Sequence, residues 1–152
     1  MKKILIDKIP GSVNSFFASE GVAESDVLLA LRSDLRVDAS RGDCFVMLTE
    51  KSFFIAEGII EFTAANRTAL GDTQRSEKFV VSRFEKFDIA DISEPKAEQL
   101  ISTGRVVCEL ENESKLLFNF SSACKHGVSV FCRAIGDLKK DGKLDFALYE
   151  DE

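Results

Sequence analysis

The sequence predicts a mainly β fold with a C-terminal helix, an α+β chain in which about seven strands form an antiparallel barrel or sandwich capped by that helix. Between residues 26 and 120 most segments have strand patterns, either fully apolar or alternating with the period of two that is typical of strands. The last of these segments, Lys115 to Phe120, runs through two serines into an amphipathic helix. No helical pattern separates the strands, which argues against a parallel sheet of βαβ units.

Before the strands, residues 1–11 form a lead-in segment and Ser12 to Glu20 form a short helix. Ser12 suits the N-cap because its hydroxyl oxygen can accept a hydrogen bond from an unpaired amide of the first turn. Gly21 suits the end of the helix. One face carries three apolar residues that predict packing on the sheet: Val13, Phe16 and Phe17.

The first strand is predicted over residues 26–37, with one face open to solvent. Turn-forming residues follow at Ser40 to Asp43. Two apolar strands, Cys44–Leu48 and Phe53–Glu57, are then joined by the polar residues 49–52. This pattern indicates a hairpin.

The centre of the chain is less regular. Thr63 to Ser76 is polar and predicts a long, mobile loop, for which both a functional role and simple slack stay open. Strands are expected at Phe79–Arg83 and Phe87–Ile92. After them, Pro95 argues against a continuous central strand, and a helical turn through Leu100 is expected.

A second hairpin and the closing helix complete the domain, which we assign to residues 12–140. Val106–Leu110 and Lys115–Phe120 are joined by a polar turn. The helix should cover the sheets with one apolar face: Val130, Phe131, Ala134, Ile135 and Leu138. Lysines at its end suit the exposed carbonyls there, and residues 141–152 are expected to be an acidic tail or linker.

Composition restricts the classes of partner. The chain has 152 residues and a net charge of −6, which opposes nonspecific attraction to nucleic acid or to an anionic membrane. No apolar run can span a bilayer, so we expect a cytoplasmic protein. Four basic residues are candidates for partner binding, although interleaved acids favour an ordinary solvated surface: Arg67, Arg75, Arg83 and Lys86.

Motifs for catalysis, cofactors and metals are absent, and we expect a protein that is not an enzyme and holds no cofactor. A single histidine, His126, excludes a two-histidine metal site, and neither a phosphate loop nor a dinucleotide fingerprint is present. Cys44 and Cys108 are expected to be buried and reduced. Cys124 is the one alternative, because the start of a helix beside a lysine could lower the pKa of its thiol.

The order of these elements resembles the pleckstrin-homology-like architecture. More closely, four segments resemble the N-terminal pleckstrin-homology-like module of bacterial ABC exporters, which have fused membrane and ATPase regions: Asp26–Leu35, Val46–Glu50, Phe87–Ile92 and Phe118–Ser121. The resemblance covers roughly residues 12–138. It implies a non-catalytic regulatory or docking module that acts through protein contacts. Such a module would lie near the inner face of the membrane because the rest of its transporter is embedded there.

Two alternatives remain open beside this interpretation. One is a stand-alone lipid- or peptide-binding domain similar to pleckstrin-homology or GRAM domains, and the other is a small cysteine-dependent enzyme. A strong site for a lipid headgroup is not expected, because Arg36 and Arg41 are faced by three acids of the same loop: Asp34, Asp38 and Asp43.

Overall fold

The structure, a computed structural model, describes residues 3–5, 7–67 and 73–149. The described residues form two sheets and two α-helices, one of them C-terminal. The predicted mainly β class with a C-terminal helix is therefore confirmed. Within the described residues both sheets are open rather than closed into one barrel.

The first sheet contains five strands in chain order: β1 (Ile4–Leu5), β2 (Leu29–Leu35), β3 (Arg41–Leu48), β4 (Ser52–Arg67) and β5 (Thr73–Asp88). Only β1 is parallel to its neighbour. The second sheet is antiparallel: β6 (Lys96–Gln99), β7 (Thr103–Leu110) and β8 (Glu113–Ser121). The α-helices are α1 (Gly11–Ser19) and α2 (Lys125–Asp141).

The main core lies between the two sheets and α2. Phe131 of α2 packs edge to face on Phe53 of β4 and on Phe118 of β8, with ring centroids 5.4 and 5.7 Å apart. The apolar face predicted for this helix is buried as a whole: Val130, Phe131, Ala134, Ile135 and Leu138. The helix stops at Gly142, whose positive φ of 74° suits a left-handed C-terminal residue.

A second, smaller core lies on the outer face of the first sheet. Val13 and Phe17 of α1 are buried there against Phe45 of β3 and Phe79 of β5. The first sheet is therefore apolar on both faces. This accounts for the nearly unbroken apolar run of β3, since both its faces are covered.

Segments on either side of the predicted domain also pack on it. β1 pairs with β2 within the predicted lead-in segment. Near the other end, Leu144 and Tyr149 belong to the main core, and the guanidinium of Arg133 lies 4.8 Å from the centre of the Tyr149 ring. The packed unit thus includes described residues outside 12–140.

Four predicted elements are wrong. One is the strand Phe87–Ile92, because β5 ends at Asp88 and Ile89–Asp91 form a 3₁₀ turn. The two ends of the predicted loop Thr63 to Ser76 are not loop, because residues 63–67 and 73–76 extend β4 and β5 as paired strands, and residues 68–72 lie outside the described residues. Pro95 is followed by β6 instead of a helical turn, since Lys96–Gln99 pair with the edge of β7. The turn after β2 lies at residues 36–40, where Ala39 takes a positive φ of 67°, so Ser40 to Asp43 is not the turn.

Smaller differences concern the ends of elements. Ser12 lies inside α1 and does not cap it, because its hydroxyl and amide both donate to Glu77 of β5. The ammonium of Lys139 donates to the carbonyls of Ile89 and Ile92, outside its own helix. In the described ranges, no helix is both long and apolar enough to cross a membrane.

Candidate functional site

A two-stranded extension of the first sheet is the most distinctive surface of the molecule. β3 pairs with β4 as far as Asp43 opposite Gly58, whereas β4 and β5 stay paired to Arg67 opposite Thr73. We call residues 59–67 and 73–80 the β4–β5 ribbon. It projects beyond β3 as a hairpin arm.

Gly58 stands where the ribbon leaves the sheet. The pairing register of β4 and β5 shifts there, between Glu57 and Gly58. A Cβ atom at residue 58 would overlap the backbone carbonyl of Val80 and would lie 2.7 Å from the Phe79 ring. Glycine is therefore required by the close approach of the two strands. Such irregularities bend a strand and increase its twist.

Apolar side chains on the ribbon are exposed. Ile59 and Val80 are directly opposite each other and are 51% and 39% exposed. Phe62, on the other face of β4, is 62% exposed. Glu61 and Lys78, two positions further along the ribbon, form the next pair on the same face as Ile59 and Val80. Cross-strand pairs share one face of a sheet, so that face carries an apolar pair followed by an oppositely charged pair.

Helix α1 supports the opposite face of the ribbon. The ring of Phe16 lies 5.6 Å from the ring of Phe79, edge to face. The Ser12 amide donates to the Glu77 carboxylate at 3.0 Å, and the Ser12 hydroxyl donates to the same oxygen. These hydrogen bonds hold the pKa of Glu77 below its usual value. Two contacts therefore tie the arm to the domain.

A buried ion pair lies at the base of the ribbon. Glu57 of β4 is only 3% exposed, and its carboxylate accepts from the Arg83 guanidinium at 2.8 Å. The same oxygen accepts from the amide of Val37 in the β2–β3 turn, also at 2.8 Å. Arg83 in turn donates to the carbonyl of Leu117 in β8 at 2.9 Å. This pair connects both sheets and the turn.

Further polar contacts extend this connection. The Arg83 guanidinium also pairs with Glu85, which accepts from Lys115 of β8 at 3.2 Å. The Asn119 side chain donates to the carbonyls of Arg36 and Val37 at 3.0 and 2.9 Å. Most of these groups are partly buried, and they satisfy one another's hydrogen bonds, as buried polar groups do in native structures. The base of the ribbon is therefore held in one geometry.

The structure describes the side chains of two of the four predicted partner-binding cations. Arg83 is engaged in the ion pair with Glu57 and is not a free surface charge. Lys86 is exposed, with its ammonium 3.8 Å from Asp88 and 5.9 Å from the centre of the Phe54 ring. The backbones of Arg67 and Arg75 belong to the ribbon, but their side chains lie outside the described residues.

Sequence reasoning missed the exposed apolar residues of the ribbon. Ile59 and Ile60 are adjacent β-branched residues, which favour a strand but do not indicate which face is covered. The signal that was available is Gly58, since a glycine inside a strand pattern marks a bulge or a close backbone approach.

The acids of the first hairpin accept their hydrogen bonds from groups other than Arg36 and Arg41, although the charge of Arg36 is among the causes, after the hydrogen bonds from Ser40, that lower the pKa of Asp38. Their hydrogen-bond donors are other groups: Asp34 accepts from Ser121, Asp38 from Ser40, and Asp43 from Arg32. The Arg36 side chain instead lies against Gly42 of β3.

The cysteines are free thiols, and Cys44 and Cys108 are buried as predicted. For Cys124, burial and the nearby Asp34 carboxylate raise the pKa of the thiol, which is opposite to the direction that a nucleophile at a helix start needs. Among the described residues, no group of three or more histidine, cysteine, aspartate or glutamate side chains could hold a metal ion.

Comparisons with known proteins leave this surface without a relative to interpret it. We found no significant match to a protein-family model, a curated protein or a solved structure.

Proposed function

We propose that this chain is a non-catalytic, pleckstrin-homology-like docking module that binds a protein partner through its β4–β5 ribbon. The observation that carries the proposal is the exposed pair Ile59 and Val80 on an arm whose base is held rigid by the Glu57–Arg83 ion pair. A rigid arm with an exposed apolar pair suits an interface, because little conformational freedom is lost on binding.

Strand addition is the mode of binding that the ribbon favours. Beyond Gly58, β4 has no partner on its β3 side, and β5 pairs only with β4 among the described strands. Backbone groups along such edges can pair with an extended segment of another protein. Ile59 and Val80 would then pack against the added strand.

The finer fold assignment rests on element order. Four antiparallel strands, β2 to β5, are followed by three more, β6 to β8, and then by the C-terminal helix. This order supports the pleckstrin-homology-like architecture that the sequence resembles. The short β1 and the helix α1 are additions at the N-terminal side.

The resemblance also suggests where such a module works. We propose that it is the N-terminal domain of an ABC-type exporter, cytoplasmic and held at the inner face of the membrane by the rest of that transporter. A protein partner is favoured over an anionic lipid surface because the net charge is −6 and because Glu61 lies directly opposite Lys78 on the ribbon.

A site-specific crosslink tests the proposal. A photo-crosslinking amino acid placed at Ile59, in the chain expressed in its native cells, should capture a polypeptide whose peptides include those of a transporter ATPase. Ile101 is the matched control, since it is fully exposed in the β6–β7 turn of the second sheet. Equal labelling from both positions, or none from residue 59, would reject the ribbon as the docking surface.

Fractionation of the native protein tests the transporter separately. A membrane-bound species that contains ATPase peptides supports the exporter module. A species near 16.8 kDa in the soluble fraction would instead indicate a stand-alone binding domain and would end the exporter part of the proposal.

A further inference from the structure

The β4 side of the β4–β5 ribbon has an open backbone edge. The pairing of β3 with β4 ends at Asp43 opposite Gly58. From Ile59 onward, the described residues of β4 pair with β5 alone. Successive residues of a strand direct their N–H and C=O groups to alternate sides, so this stretch leaves a row of backbone donors and acceptors open where β3 would have continued.

Of the two edges of the ribbon, that of β4 is better suited to an added strand. On β5 the exposed residues 76–78 are polar, and charged side chains on an edge strand discourage pairing with another chain. Helix α1 also lies against β5, where Ser12 donates to Glu77. On β4, by contrast, Ile59 and Phe62 place an exposed apolar side chain on each face of the strand.

Glu61 gives this edge a charge preference. It is exposed, and Lys78 lies directly opposite it on β5. Opposite charges on directly opposed residues of neighbouring strands are stabilising, and like charges are destabilising. A basic residue placed opposite Glu61 on an added strand would complete a row of alternating charge across three strands, whereas an acidic residue there would be repelled. The edge therefore favours a lysine or an arginine at this position.

The residues beside Glu61 extend this preference into a short pattern. Directly opposed residues share one face of a sheet, so Phe62 favours an aromatic residue on the added strand and Ile59 favours an aliphatic one. An antiparallel strand would run in the direction of β3, and antiparallel pairing is slightly the more stable arrangement. In that direction the added strand carries, in order, an aromatic, a basic, an unspecified and an aliphatic residue.

We propose that the β4 edge of the ribbon binds an extended, basic segment of a protein partner as an added antiparallel strand with this pattern. The inference rests on the proposed docking function, for which it names the edge that is used and the chemistry of the partner. The net charge of −6 acts in the same direction, because a basic segment is attracted to an acidic chain before it docks.

Two fluorescent peptides that differ in one residue test the charge preference. The lysine peptide has phenylalanine, lysine, threonine and valine in that order at its centre, and the glutamate peptide has glutamate in place of the lysine. Each is titrated into the full chain, and binding is followed by anisotropy. The lysine peptide should bind about three- to tenfold more tightly, because it faces Glu61 with the opposite charge. Equal binding of the two peptides, or binding of neither, would overturn the inference.

A charge reversal on the protein places the preference at residue 61. In a Glu61→Lys chain the glutamate peptide should bind more tightly than the lysine peptide. The matched control is Glu113→Lys, which changes the net charge equally at an exposed position at the start of β8 in the second sheet, and which should leave the preference for lysine unchanged. Circular dichroism checks that both variants are folded. A preference for lysine that survives Glu61→Lys, or that both variants weaken equally, would contradict the proposal.

Backbone methylation of the peptide tests strand addition itself. Two further lysine peptides carry N-methyl groups on alternate residues, one on the odd and one on the even positions. Only one of these sets of N–H groups faces β4 in an added strand, so one methylated peptide should lose binding and the other should keep it. In hydrogen exchange, the unmethylated peptide should slow alternate amides of residues 59–63. Equal effects of the two methylated peptides, or unchanged exchange on β4, would exclude an added strand.

Two further results separate the explanations. If sedimentation shows concentration-dependent dimers of the unchanged chain and the β4 amides become protected as the dimers form, the edge is occupied by a second copy, and the inference of a basic partner is overturned. A polypeptide captured from residue 59 in cells, without any preference between the two peptides, would leave the ribbon as the docking surface and reject only the basic added strand. Charge-dependent peptide binding without a crosslink in cells would instead reject the proposed function.

Discussion

The ion pair at the base of the ribbon gives the sharpest prediction for stability. Glu57→Ala removes the carboxylate that accepts from both Arg83 and Val37, each at 2.8 Å. The Arg83 guanidinium, with a side chain only 16% exposed, then loses its most buried counter-charge. Removing one partner of a buried pair costs about 3–5 kcal/mol of unfolding free energy. Because Arg83 keeps Glu85 as a partner, we expect the loss near the lower end.

Urea denaturation followed by circular dichroism measures this loss. The matched control is Glu98→Ala, which removes the carboxylate of an exposed ion pair with Arg105 at a distance of 2.7 Å. Exposed pairs contribute about 0–1 kcal/mol, so the control should change the midpoint little. Both variants delete a glutamate in a strand, and they differ mainly in burial.

A double-variant cycle separates the pair from other effects of the substitution. Glu57→Ala and Arg83→Met should each destabilise, and the combined variant should lose less than the sum, because neither charge is then left buried alone. A loss of less than about 1 kcal/mol for Glu57→Ala, or a loss equal to that of Glu98→Ala, would refute the reasoning from burial.

The same cluster predicts an acid dependence of stability. Burial tends to raise the pKa of Glu85, but hydrogen bonds and charge from Arg83 and Lys115 outweigh it and leave the pKa below its ordinary value of 4.5. The unfolded chain therefore binds a proton at higher pH than the folded chain. The contribution is fully present above pH 4.5 and is lost as the pH falls through the lower folded value. Glu85→Gln should reduce the slope of stability against pH below 4.5, and an unchanged slope would contradict the assignment.

Three further predictions concern packing. Gly58→Ala should lower the free energy of unfolding by about 1–3 kcal/mol or more, because the added Cβ would overlap the Val80 carbonyl. Gly11→Ala is the control: the space around Gly11 is open, so its free energy of unfolding in the same urea titration should be nearly unchanged. Phe131→Ala should lose about 3–5 kcal/mol of unfolding free energy, measured by thermal and urea melts, since the ring is completely buried against two others. A thiol reagent at pH 8 should label Cys44 only on unfolding, because the side chain is completely buried and burial strongly raises the pKa of its thiol. Labelling of Cys44 in the folded protein at the rate of a free thiol would contradict its buried position.

The elements that sequence patterns predicted best are those whose signal is local. The hairpin of β3 and β4 and that of β7 and β8 follow from apolar strands joined by polar turns, and α2 follows from its apolar face. In the second turn, Glu111 and Asn112 take positive φ values of 54° and 66°, as a tight hairpin turn requires. Local backbone chemistry is sufficient for such elements.

The candidate site depended on relations between distant parts of the chain. Thr63 to Ser76 has the polar composition of a loop, yet its ends pair across strands as β4 and β5, which sequence composition does not reveal. Arg83 looks like one surface cation among several, and only its distance to Glu57 makes it a buried partner. The edge of β2 is covered because β1 pairs with this strand, which lies more than twenty residues later in the chain.

The sequence by itself determined the class of fold, the helix that closes it and the absence of recognised catalytic motifs, because periodicity and motif spacing are properties of neighbouring residues. Tertiary structure decided which edges are open, which charges are buried and which apolar residues stay exposed. The free edge of the ribbon, for example, begins where the pairing of β3 with β4 ends, at Asp43 opposite Gly58. Solvent exposure and charge burial are set by distant neighbours, so sequence periodicity alone cannot specify them.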